Sequence, residues 1–174
     1  MQSRENMVTN GDVTLATEVR GTSTNGTILL VMGATASMMW WPDPLLDSLA
    51  EGGFQVIRFD HRDTGRSTTN PPGVVSYDLD DLTNDLIAVL DAFGVRGAHL
   101  AGMSLGGYLA QIAALKYPDR VLSLTLIAAE PFGIAYEAEG IAEEFMAHFG
   151  AMETLDWTDQ TSVAAFLLKI AELS

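Results

Sequence analysis

The chain has 174 residues, 48% of them apolar, with 9 basic and 23 acidic side chains and a net charge of −14. That length is compatible with one domain, and the charge argues against nucleic acid or an anionic membrane as partner, since both are held by Lys and Arg. The absence of cysteine excludes disulfides, thiolate nucleophiles and Cys-based zinc sites.

The opening MQSRENMVTNGD holds no apolar stretch of the signal-peptide kind. The longest apolar run, around ILLVM, is too short to cross a bilayer, so a cytoplasmic protein is the default expectation. Two strands are expected around residues 7–9 and 13–19, joined by Asn-Gly-Asp, a hairpin signal. TILLVMG (27–33) is a continuous apolar run of strand length, suited to a strand buried on both faces. PDPLLDSLAEGG then predicts a short helix stopped by glycine, and FQVIRFD (54–60) the next strand.

A polar loop, HRDTGRSTTNPPG, leads to a helix whose apolar face is Leu82, Leu86, Val89, Leu90 and Phe93. Asp78 is a candidate N-cap, and Gly94 falls where a left-handed cap is expected. Asp78, Asp80, Asp81, Asp85 and Asp91 read as its solvated face. GAHLAGM predicts a third core strand, a helix should run from Ser104 to Tyr117, and VLSLTLIAA (121–129) predicts a fourth strand. Alternating strands and helices imply an α/β fold with a doubly wound, mostly parallel sheet over residues 1–130. Residues 131–174 show no further core strand. Ile141, Phe145 and Phe149 space one amphipathic helix, and Val163, Phe166, Leu167 and Ile170 another. These are expected to begin a helical cap, with the last core strands lying beyond residue 174.

Ser104 stands between Gly102 and Gly106 in AHLAGMSLGGYLA, after a strand and before a helix. G-x-S-x-G occurs by chance in roughly one chain in fifteen of this length, so placement carries the signal. On such a strand-to-helix turn a serine hydroxyl points outward, and the residues two before and two after must be small. The helix N-terminus favours negative charge, and the Leu105 N–H can face a developing oxyanion. A second donor is expected from the loop after the first core strand, where Gly33 permits a tight turn and the Ala34 N–H is the candidate. Met38, Trp40 and Trp41 in that loop are candidates to line an apolar pocket, or else pack the loop onto the core. The bland alternative for the whole stretch is a glycine-rich turn with an incidental serine.

The stretches LLVMGA, WPDP, VIRFDHRDTGRSTT, AVLDAFGV and AHLAGMSLGG resemble the α/β-hydrolases, and more narrowly the aclacinomycin methylesterase-like branch. The resemblance covers about residues 11–130. It implies an α/β-hydrolase-type fold with Ser104 as nucleophile and the Ala34 and Leu105 N–H groups as oxyanion hole. It also implies that the DHRDTGRS loop is structural, held by Asp60, Arg62 and Asp63. Where the family often has His-Gly, this chain has Met32-Gly33, which leaves the backbone donor in place.

The family's triad runs Ser, acid, His in chain order. His61 sits in the structural loop, His99 on the strand leading into Ser104, and His148 on a cap helix. None is a convincing base. Glu130 directly follows a strand and is a candidate acid or a capping residue. Phosphate-binding and dinucleotide-binding glycine loops are absent, and the histidines lack metal-ligand spacing, so no cofactor and no metal are expected. The expected function is hydrolysis of a small-molecule carboxylic ester, with the acid and histidine beyond residue 174. The alternative is a catalytically incomplete binding or interaction module, and an uncovered sheet edge would invite self-association.

Overall fold

Asn10 pairs with Val13 across a tight turn in which Gly11 takes φ +60°, a left-handed value that favours glycine. The turn joins β1 (Arg4–Asn10) to β2 (Val13–Arg20) as an antiparallel hairpin. The computed structural model describes residues 3–133 and 142–173. Its further strands are β3 (Thr27–Val31), β4 (Gln55–Phe59), β5 (Ala98–Met103) and β6 (Val121–Ile127). The six strands lie in the order β1-β2-β4-β3-β5-β6. β4, β3, β5 and β6 are mutually parallel, and the hairpin extends them antiparallel through β2 on β4. The sheet is thus the expected mostly parallel one, made mixed by the expected hairpin, since a two-residue turn returns the chain antiparallel.

Three helices carry the crossovers: α1 (Asp43–Glu51), α2 (Leu79–Ala92) and α3 (Leu105–Lys116). Asp78 caps α2 in a reciprocal capping box with Asp81. Gly94, at φ +66°, ends that helix as its position predicted. Alternation along β3 divides the core. Leu29 and Val31 pack with Leu86, Val89 and Leu90 of α2 and Leu109 of α3, whereas Leu30 and Met32 pack with Leu46 and Ala50 of α1.

Two sequence expectations need correction. Asp85 is not on the solvated face of α2: it is fully buried, and its carboxylate accepts from Arg62 at 2.7 and 2.9 Å and from Asn10 at 2.8 Å. The ion pair joins residues 23 apart, which helical periodicity does not register. β6 is not a core strand here. Among the described residues it pairs with β5 alone, and Leu122, Leu124, Leu126 and Ile127 are exposed.

The chain divides into two units, residues 1–70 with 75–134 and residues 71–74 with 135–174. The second holds α4 (Glu143–Gly150) and α5 (Gln160–Leu173) at the places expected for amphipathic helices, although Ile141 lies outside the described residues. Phe145 and Phe149 stack on α4, and His148 stacks on Phe166 of α5 with ring centroids 4.6 Å apart. No described helix is long and apolar enough to cross a membrane.

Candidate active site

β5 passes into α3 through the single residue Ser104, whose backbone sits at φ +49°, ψ −118°. A non-glycine residue there is strained by about 1–3 kcal/mol, and such strain persists only when neighbours hold it. Ser104 N–H donates to the Ile127 carbonyl at 2.9 Å, and the Ser104 carbonyl accepts from Tyr108 N–H at 3.0 Å. The side chain is exposed. A Cβ at Gly102 would strike the backbone of Gly106 and Gly107, and a Cβ at Gly106 would strike the Val31 and Met32 carbonyls. The small residues flanking the serine are therefore a steric requirement of this turn.

The loop after β3 crosses beside the serine. A Cβ on Gly33 would stand 3.4 Å from Ser104 Cβ and 3.5 Å from the Met103 carbonyl oxygen. Ala34 follows, exposed, and then Thr35 at φ +64° with its hydroxyl donating to the Ala34 carbonyl at 2.6 Å. On the other side Leu105 opens α3, so its N–H has no acceptor within the helix. Ser104, the Ala34 loop and the Leu105 helix start thus meet at the carboxyl end of the parallel strands, where open α/β sheets bind ligands.

Of the residues expected to line a pocket, Trp40 is 41% exposed, whereas Met38 and Trp41 are packed inside at 1% and 3%. Trp41 belongs to the α1-side core with Leu30, Met32 and Val56. A buried charge cluster holds this loop. The Arg58 guanidinium donates to the Trp41 carbonyl at 2.7 Å and to Glu18 at 2.6 Å, and Glu18 also accepts from Arg20 at 2.7 Å. Arg58 and Glu18 went unread in the sequence. The available signal was a charged residue inside each of two otherwise strand-like stretches.

Each histidine is engaged elsewhere. His61 is buried with Nε2 3.0 Å from the Met32 carbonyl oxygen, and burial holds its pKa below the usual imidazole value. His99 bonds Ser123 at 2.8 Å through Nδ1, and His148 Nε2 lies 3.0 Å from the Phe166 carbonyl oxygen. Among the described residues no histidine is hydrogen-bonded to Ser104. Glu130 is exposed, and its carbonyl accepts from Gln111 at 2.8 Å.

The DHRDTGRS loop is dense with bonds. The Asp60 carboxylate accepts from Met38 N–H at 2.7 Å and Arg66 N–H at 3.0 Å, Arg62 pairs with Asp85, and Asp63 accepts from Asn70 N–H at 2.6 Å. Burial, with a hydrogen bond to Asp63, pushes the Tyr77 hydroxyl up to about 12.

Residues 26–163 match the family described as the alpha/beta hydrolase fold, which is more than half of the chain. The chain belongs to the α/β-hydrolase family. This α/β-hydrolase is 41% identical over 133 residues to rhodomycin D methylesterase DauP of Streptomyces sp. strain C5, a match covering 76% of this chain and 45% of the relative. It is 38% identical over 113 residues to a putative carbamate hydrolase, RutD, of Variovorax paradoxus, covering 64% and 41%. A crystal structure of a hydrolase from Pseudomonas aeruginosa superposes with a TM-score of 0.70 at 25% identity, covering 96% of this chain and 66% of that one. The α/β-hydrolase chain therefore spans less than half the length of these two curated relatives.

Proposed function

We propose that this chain carries the nucleophile and oxyanion hole of a carboxylic ester hydrolase. The carrying observation is the exposed Ser104 held at φ +49°, ψ −118° between β5 and α3, with Gly33 of the loop after β3 against it. In this reading Ser104 Oγ attacks the ester carbonyl carbon, and an imidazole takes its proton. The carbonyl oxygen becomes an oxyanion facing the Ala34 and Leu105 N–H groups. The alcohol leaves with the proton from the imidazole, and water then releases the acyl group from Ser104. The relative named a methylesterase supports a small-molecule ester as substrate. Exposed Trp40 is the pocket residue we favour, and α4 and α5 are read as part of a cap.

We place the imidazole and its orienting acid in polypeptide outside these 174 residues. Two observations support this: no described histidine is bonded to Ser104, and the relatives are more than twice as long as their matched portion. The same polypeptide is the occupant proposed for the free edge of β6.

The test is adduct mapping with a fluorophosphonate. The expected adduct lies on Ser104, forms slowly without the imidazole, and disappears in Ser104→Ala. An adduct on another residue, with Ser104 unmodified, would overturn the assignment.

A further inference from the structure

Three side chains at the carboxyl end of β4 reach sideways to the backbone of the loop that carries Ala34. Arg58 donates to the Trp41 carbonyl at 2.7 Å, Asp60 accepts from Met38 N–H at 2.7 Å, and His61 Nε2 lies 3.0 Å from the Met32 carbonyl oxygen. A carbonyl oxygen only accepts, so Nε2 carries the proton and Nδ1 is left a bare acceptor. Nδ1 is buried without a partner among the described residues. A phenylalanine would fill similar space without that orphan acceptor, so the bond to Met32 is what the imidazole adds.

The Met32 carbonyl occupies a consequential place. A Cβ on Gly106 would stand 2.6 Å from it, so the Met32–Gly33 peptide lies between the imidazole and the first turn of α3. Gly33 follows, the most freely rotating joint of the loop, and Ala34 N–H comes next. Thr35 secures the far side through its hydroxyl on the Ala34 carbonyl. We infer that His61 is a positioning residue: by fixing the Met32–Gly33 peptide it restricts Gly33 and so aims the Ala34 N–H at an oxygen bound beside Ser104. This rests on the oxyanion role given to Ala34 above. It assigns His61 no proton transfer with substrate, because its one N–H is spent on Met32.

The experiment compares the unmodified chain with His61→Phe, which keeps the volume, and His61→Gln, which can restore a donor. Backbone nitrogen order parameters at residues 33–36 and the rate of fluorophosphonate addition at Ser104 are both read. In His61→Phe, the order parameters of Gly33 and Ala34 should fall from the rigid value of about 0.85 to below about 0.6, with α2 unchanged. The maximal rate of addition should fall at least tenfold with the half-saturating probe concentration unchanged, and His61→Gln should recover most of both. Unchanged order parameters in His61→Phe overturn the inference. If even the unmodified chain forms no adduct, the nucleophile reading fails, while the order parameters still decide the His61–Met32 link. Nitrogen NMR of the unmodified chain needs no variant to fold. It should show His61 protonated at Nε2 and bare at Nδ1, and the opposite tautomer overturns the inference.

Discussion

At the scale of single residues, the serine turn works by exclusion. Gly106 leaves no room for a methyl group, because the carbonyls of Val31 and Met32 already fill that space. Backbone cannot step aside as a side chain can. Gly106→Ala should therefore destabilise the fold by about 3 kcal/mol, at the upper end for overpacking, read as a lower urea midpoint. His61 adds a pH dependence. Burial depresses its folded pKa below the ordinary imidazole value of 6.5, so the unfolded chain takes the proton first. Stability is full above 6.5 and is lost as pH falls below it towards the folded value. Denaturation curves at descending pH should show the unmodified chain losing more stability below 6.5 than His61→Gln; parallel losses would remove His61 as the cause. The strained turn at Ser104 was legible because its conformation forces a local spacing of small residues. The His61 bond to Met32, 29 residues away, and the Asp85 pair with Arg62, 23 away, were not, since side chains meet there only through the sheet.

At the scale of elements, local chemistry predicted what local chemistry controls. The capping box at Asp78, the left-handed Gly94 and the apolar stripe of α2 all stand where their patterns put them. β6 shows the limit. VLSLTLI reads as a core strand because five of its seven residues are apolar and none is charged, yet burial depends on neighbours that a strand does not encode. Left uncovered, such an edge invites pairing. The chain by itself should self-associate along β6, and Leu124→Lys should shift it towards monomer in sedimentation velocity. A unmodified chain that stays monomeric at high concentration would contradict this.

At the scale of the whole molecule, the mixed sheet gathers three separate segments at one end. β5 and α3 present Ser104 and Leu105, the loop after β3 brings Ala34, and the end of β4 fastens that loop through Arg58, Asp60 and His61. The alternation of strands and helices made this architecture legible in the sequence. The antiparallel placement of the hairpin beside β4 was not, because strand order is set by long-range packing. What this gathering does not include, among the described residues, is an imidazole bonded to Ser104. On the proposed reading, the nucleophile and oxyanion donors are here while the base comes from elsewhere. The most direct test is the rate at which the 174-residue chain alone hydrolyses an activated ester, with Ser104→Ala as its blank. A weak, Ser104-dependent rate is expected, of the kind that binding and an oxyanion hole leave when a triad is broken. Turnover near the ordinary enzymatic value of about 10 per second, or a rate untouched by Ser104→Ala, would contradict it.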